Sequence, residues 1–223
     1  MTLYFTQMRL SRTPSARALA SLISPADQAM RIDAHHKLIW AAFADEADRR
    51  RDFLWREEAD GSFLTLSARP PMQMDLFDPF ESKPFTPSLS TGDALSFALR
   101  VNATRAKHGT GRVDVVMDAL HAIPKDARAA AKPQIVQTEA ATWLDRQGSK
   151  AGFTLQSLTG ADYTTLTLPD YRGPRKGQPQ FGVLDLTGNL TVTDPTAFVE
   201  QLGRGFGRAK AFGCGLMLIR RSR

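Results

Sequence analysis

The chain has 223 residues, 42% hydrophobic and 23% charged, with a formal net charge of +6 and one cysteine. That length allows one large domain or two small ones, and the apolar content excludes intrinsic disorder and collagen. The longest unbroken apolar run, Leu38 to Ala44, is seven residues, against the roughly 20 a membrane helix needs, so no membrane partner is expected. Lone Cys214 makes no internal disulfide, and Met1 to Arg9 alternates rather than forming a basic-then-apolar leader; a cytoplasmic protein is expected.

Leu3 to Leu10 alternates and predicts a first strand. Ser24-Pro25-Ala26-Asp27 reads as a helix start, and Ile32, Leu38, Ile39, Trp40, Ala42 and Phe43 fit a helix running to about Ala47 with no Gly or Pro inside. Phe53 to Glu57 and Phe63 to Ala68 predict a hairpin around Ala59-Asp60-Gly61. The Pro-rich stretch from Arg69 to Ser90 reads as an ordered loop, and Ala94 to Val101 as a further strand. After a polar junction near Lys107 to Gly111 the rhythm repeats. Val113 to Met117 predicts a strand, Ile135 to Arg146 a helix, and Phe153 to Leu158 and Tyr163 to Leu168 two strands. A basic loop from Tyr171 to Gln180 leads into a long strand, Gly182 to Val192. Asp194-Pro195 marks a short helix with Asp as N-cap and Pro at its first position, and Gly215 to Arg220 closes as a strand. Two such runs suggest an α+β protein of two tandem ferredoxin-like (βαββαβ) domains, residues 1–108 and 109–223.

The charge is unevenly placed. Residues 1–170 carry 20 Lys+Arg against 20 Asp+Glu, whereas the last 53 residues hold nine basic and three acidic groups. Such a surplus suits a polyanion, because each neutralised phosphate releases condensed counterion; it also suits solubility alone. Gly203 to Gly215 packs five glycines and three cations, Arg204, Arg208 and Lys210, into thirteen residues. Glycine backbone can turn at positive φ and bring its N–H groups to a phosphate, so an anion site is the functional reading. A flexible helix-to-strand connection is the plainer one. Neither a dinucleotide fingerprint nor a P-loop is present: the third glycine of the former is Lys210, and no Gly-Lys-Ser/Thr occurs.

Three blocks resemble one family. Phe181 to Pro195 followed by Gly205 to Ile219 resembles the closing strand, helix and glycine-rich loop of the CasE family, the CRISPR repeat endoribonucleases of the type I-E Cascade complex. His36-Lys-Leu-Ile-Trp40-Ala-Ala-Phe-Ala-Asp45 resembles its first-helix motif, and Leu99-Arg100-Val101-Asn102-Ala103 its Arg-x-Asn-Pro strand end, with Ala103 in place of Pro. The resemblance implies two ferredoxin-like domains of the repeat-associated mysterious protein superfamily. It also implies metal-independent RNA cleavage, in which a ribose 2′-OH attacks the neighbouring phosphate to leave a cyclic 2′,3′-phosphate and a 5′-OH. No cofactor and no metal ligand are implied. The partners implied are the repeat RNA stem-loop, the mature crRNA that is retained, and other Cascade subunits.

His36 aligns with the family's catalytic histidine, and an imidazole suits proton transfer because both its forms are available near neutrality. His35, about 100° away on the same helix, is the reserve candidate. The chain departs from the family three residues before His36, where Asp33 stands in place of Tyr; a carboxylate repels phosphate but can orient an imidazole. The family pattern puts Arg172, Arg175 and Lys176 on the RNA stem and Arg204, Arg208 and Lys210 near the RNA, with Arg100, Asn102 and Arg105 as further contacts. Trp40, Phe43 and Phe206 read as core rather than as a stacking platform. The competing readings are a non-catalytic RNA-hairpin-binding subunit of a ribonucleoprotein and an unrelated protein that binds a phosphate ligand.

Overall fold

The structure, a computed structural model, describes residues 2–46, 49–169 and 180–222. The chain opens with strand β1 (Tyr4–Met8), two short helices α1 (Pro14–Ala18) and α2 (Ala20–Ile23), and helix α3 (Gln28–Ala41). Strands β2 (Phe53–Glu57) and β3 (Phe63–Ser67) follow, then the short edge strand β4 (Ser82–Pro84). Next come β5 (Ala94–Val101), β6 (Thr104–Lys107) and β7 (Gly111–Asp114), then helices α4 (Val115–His121) and α5 (Arg128–Ala151). The long strands β8 (Phe153–Thr167) and β9 (Gln180–Val192), helix α6 (Pro195–Arg204), a 3₁₀ turn at Lys210–Phe212 and strand β10 (Met217–Arg221) complete it. Among the described residues no helix is long and apolar enough to cross a membrane.

These elements form two four-stranded antiparallel sheets, ordered β2-β3-β1-β4 and β10-β5-β9-β8, with β6 and β7 as a separate hairpin. Counted in chain order, both sheets read 4-1-3-2. In the second, helices occupy both crossovers; in the first, α3 fills one crossover and residues 68–81 cross without a helix. The strand at 94–101 was expected to close the first half, but its register is with β9 and β10, so sheet membership changes between β4 and β5 rather than at residue 108. The reason is its burial: Leu95, Phe97, Leu99 and Val101 alternate inward onto the core beneath α5 and α6.

Local chemistry accounts for the boundaries. The Asp27 carboxylate accepts from the Met30 N–H at 2.9 Å and starts α3, and Asp194 accepts from the Ala197 N–H at 3.0 Å with Pro195 in the first turn of α6. Helix α5 begins seven residues earlier than expected and continues through Pro133, because Val136, Ala140, Trp143 and Leu144 hold it on the sheet. The two strands expected at 153–168 are one, whose register shifts at Leu155/Ser157 and Leu158/Gly160 absorb the irregular pattern. Residues 113–117 divide between the end of β7 and the start of α4, where Asp114 caps the Val116 and Met117 N–H groups. The basic loop 171–179 lies outside the described residues.

The first sheet is apolar on both faces, and that explains the unbroken run Phe53-Leu54-Trp55. Phe53, Trp55, Phe63 and Met8 pack beneath α3 against Leu38, Ile39 and Phe43. Leu54 and Leu66 turn the other way and meet Leu216 and Leu218 at β10. The second sheet thereby carries the glycine-rich segment up to the flank of α3. That juxtaposition builds the site.

Candidate functional site

Residues 205–215 are a bonded structure rather than a flexible connection. The Phe206 N–H donates to the Gly215 carbonyl at 2.9 Å, the Gly215 N–H to Arg100 at 2.7 Å, and the Arg208 N–H to Asn102 at 3.1 Å. Phe206 is fully buried, as expected. Gly207 has φ +65°, and a methyl group there would overlap Val101 Cγ2 and lie 2.6 Å from the Asn102 carbonyl oxygen. Ala209 adopts the left-handed conformation, φ 52°, without the freedom of glycine. The turn at Lys210–Phe212 that follows is stitched to the first sheet: Trp55 Nε1 donates to the Ala211 carbonyl at 3.1 Å.

His36 stands where these parts meet. Its ring centroid is 5.3 Å from Phe212 and 6.2 Å from Trp40, with the ring partly exposed. Burial lowers its pKa below the ordinary value, opposed by the Ala211 carbonyl and by Asp33, and assisted by the charges of Arg51 and Lys37. Asp33 is itself tied to Lys37 by an ion pair of 2.6 Å. The imidazole from the N-terminal half and the glycine-rich segment from the C-terminal half thus share one surface.

His35 does not. Only 1% of it is exposed; its ring meets Phe63 edge-on at 4.8 Å, and Nδ1 lies 3.2 Å from Glu57 Oε2. The 100° step along α3 that separates the two histidines buries His35, which reaches only the floor of the cleft described below rather than the surface that His36 shares. Asn102 is likewise a strut rather than an RNA contact: it is 6% exposed and its Nδ2 donates to the Gly182 carbonyl at 2.7 Å, joining β5 to β9 beneath the glycine-rich segment. The Arg105 guanidinium is held by Asp118 at 2.6 Å and Glu139 at 2.9 Å, on the hairpin and helix side of the second sheet.

The remaining predicted cations divide. Lys210 is half-buried; its Nζ donates to the Arg204 carbonyl at 2.7 Å, and desolvation and Arg51 both lower its pKa. Arg208 is exposed at the turn that pairs with Asn102. Arg204 is exposed and pairs with Glu200 one helical turn back at 3.1 Å. Arg100, 3.6 Å from Asp185, borders a cleft of about 500 Å³ between the sheets that also includes Phe212 and Gly213. Arg172, Arg175 and Lys176 lie outside the described residues. One residue went unnoticed in the sequence: Arg51, half-buried ahead of β2 and within electrostatic reach of both His36 and Lys210. It carries no motif, and only the packing of α3 on β2 brings it there.

A mixed protein of helices and antiparallel sheets, with a desolvated imidazole set against a cationic, glycine-built turn, defines the class. The profile of the CRISPR associated protein family matches residues 3–221. The chain belongs to that family. It is 28% identical over 148 residues to the CRISPR-associated endoribonuclease Cse3 of Thermus thermophilus, a match spanning 63% of this chain and 62% of that relative, under two thirds of its length. It is 24% identical over 191 residues to the CRISPR system Cascade subunit CasE of Escherichia coli, spanning 82% and 89% of the two chains. A solved structure of CRISPR endoribonuclease Cse3 bound to a 19-nucleotide RNA shares the fold, with a TM-score of 0.67 at 22% identity over 98% of this chain and 99% of that one.

Proposed function

We propose that this chain is a metal-independent endoribonuclease that cleaves CRISPR repeat stem-loops in precursor crRNA and keeps the mature guide as a subunit of Cascade in the cytoplasm. The observation that carries the reading is the position of His36, a half-buried imidazole against the turn at Lys210–Phe212. The endoribonuclease name of Cse3 and the Cascade-subunit name of CasE support it. The two units are proposed as tandem ferredoxin-like domains, a reading supported by their common 4-1-3-2 order.

The chemistry needs a base for the 2′-OH, charge to stabilise the phosphorane, and a proton for the departing 5′-oxygen. With its pKa lowered, His36 is neutral at neutral pH and able to accept the 2′-OH proton. The 2′-oxygen then bonds to phosphorus, the P–O5′ bond breaks, the departing 5′-oxygen takes a proton from solvent water, and a cyclic 2′,3′-phosphate and a 5′-OH remain. Lys210 and Arg208 hold the phosphate from the glycine-rich side, with Arg100 along the cleft and Arg204 at its outer end. Arg172, Arg175 and Lys176 hold the RNA stem. Asp33, bound to Lys37, does not replace the family's Tyr as a second catalytic group. Loss of one positioned proton donor costs about 10² to 10⁴ in rate, so cleavage is slow and single-turnover, which suffices where each molecule retains its product.

The test is incubation of an end-labelled repeat hairpin with wild type and His36→Ala, with and without chelator. The expected result is cleavage by wild type, undiminished by chelator, a cyclic phosphate end, and retained binding without cleavage by the variant. Equal cleavage by both proteins removes His36 as the catalytic group, and binding without cleavage by wild type makes the chain a non-catalytic RNA-binding subunit instead.

A further inference from the structure

Arg51, His36 and Lys210 come from three separate elements, the lead into β2, helix α3 and the 3₁₀ turn, and they converge. Two sets of contacts bring the three elements together. Phe53, two residues after Arg51 on β2, packs on Trp40 at 5.5 Å between ring centroids, and Trp40 flanks His36. Further along the same strand, Trp55 bonds the carbonyl of Ala211, next to Lys210. All three side chains are partly withdrawn from water.

Among the described residues their charges have no acidic partner. Among the described residues neither Arg51 nor Lys210 forms an ion pair, although neighbouring cations do: Arg49 with Asp45 and Glu46, and Arg69 with Asp45 and Asp52. The acid next to this group, Asp33, is bound to Lys37. Desolvation pushes the pKa of both Arg51 and Lys210 down rather than up, and the charge of Arg51 lowers that of Lys210 further. Cations gathered in a partly desolvated place at the cost of their own hydration are stabilised by an anion, because charge-assisted hydrogen bonds to phosphate oxygens replace the lost water.

We propose that Arg51, with Lys210, forms an anion site beside His36 that takes the phosphodiester undergoing cleavage, Arg51 contributing a forked pair of donors to its non-bridging oxygens. The proposal rests on the ribonuclease reading above for the identity of the anion, but the site itself does not. A guanidinium fork matches two phosphate oxygens, whereas an ammonium supplies one point charge. Negative charge on those oxygens grows as the 2′-oxygen adds to phosphorus, so the contact strengthens in the transition state and acts on rate more than on binding. This places a stabilising group on the N-terminal half, in a chain that has Asp33 where the family has Tyr.

Two measurements test it. The first uses the free protein and inorganic phosphate: the His36 imidazole is titrated by NMR with and without the anion. In wild type, saturating phosphate raises the pKa of His36; in Arg51→Gln the response falls at least tenfold in phosphate affinity. The second is single-turnover cleavage of a repeat hairpin, with binding measured on RNA carrying a 2′-deoxyribose at the cleaved position. Arg51→Gln lowers the cleavage rate about 10²-fold or more, Arg51→Lys restores part of it, and the affinity for the deoxy RNA changes less than tenfold. With the positive neighbour gone, the acidic limb of the rate profile in Arg51→Gln moves to higher pH. A phosphate response and a cleavage rate both equal to wild type overturn the proposal. If wild type binds RNA without cutting it, the ribonuclease reading fails alone, and the phosphate titration still decides the site.

Discussion

The imidazole of His36 and the ring of Phe212, one in the first third of the chain and the other close to its end, lie 5.3 Å apart between centroids. Phe212 is held in that position because its N–H closes the turn onto the Ala209 carbonyl at 2.8 Å, while Trp55 binds the intervening Ala211. The pair is therefore a joint between the two sheets as well as the wall of the proposed site, so disturbing either partner is expected to affect stability and, on the proposed mechanism, proton transfer.

Cleavage depends on pH with a defined sign. Burial lowers the pKa of His36 from its ordinary 6.5, so in the free protein the imidazole is already neutral at pH 7, and acidification, which protonates it, is expected to slow cleavage. An NMR titration of the free protein that puts the His36 pKa above 6.5, or a rate that rises on acidification, contradicts this. Stability follows the same shift. The unfolded chain binds the proton more readily than the folded one, so the His36 contribution is fully present above pH 6.5 and is lost as the pH falls through the lowered folded value.

His35 is expected to matter for folding rather than chemistry. Replacement by Ala removes its edge contact with Phe63 and its bond to Glu57, leaving a cavity under α3. The expected loss is about 2–4 kcal/mol in urea denaturation. Glu57, whose pKa the His35 bond holds below the carboxylate range, also returns toward its ordinary value. A His35→Ala protein of wild-type stability contradicts the buried placement.

Two positions in the glycine-rich segment, Gly207 and Ala209, are expected to respond in opposite directions. Gly207→Ala forces a methyl group against Val101 and the Asn102 carbonyl at positive φ and is expected to cost about 1–3 kcal/mol, with weaker RNA binding. Ala209→Gly relieves a left-handed alanine and is expected to be neutral or stabilising by up to about 1 kcal/mol. Thermal denaturation of the two variants side by side decides the matter.

Asn102 supports the loop from below. Asn102→Ala leaves the Gly182 carbonyl without its buried donor, and the expected cost is about 1–3 kcal/mol. If the variant instead keeps its stability and loses RNA affinity with a reduced salt slope, Asn102 contacts RNA after all.

Much of the fold was legible. Helix α3 announced its start through Asp27, α6 through Asp194-Pro195, and β5 its buried face through alternating Leu95, Phe97, Leu99 and Val101. Sheet membership was not, because alternation shows that a strand has a buried face but not which sheet it joins. The short strand β4 in the Pro-rich stretch was missed for a related reason: it is an edge strand paired on β1 alone, and three residues show no period. Helices α1 and α2 are too short to display one.

For the site, the order of residues by itself established that a histidine-bearing helix, a long strand and a cationic glycine-rich loop follow one another, since motif and spacing are properties of the chain. It also singled out His36. The tertiary structure decided which groups stand together. Packing Leu54 and Leu66 on Leu216 and Leu218 brings the turn at Lys210–Phe212 to His36, draws Arg51 into the same group, and leaves His35, Asn102 and Arg105 engaged elsewhere. Proton transfer and phosphate binding act over a few ångströms, and distances on that scale between remote residues are set by which apolar faces bury each other.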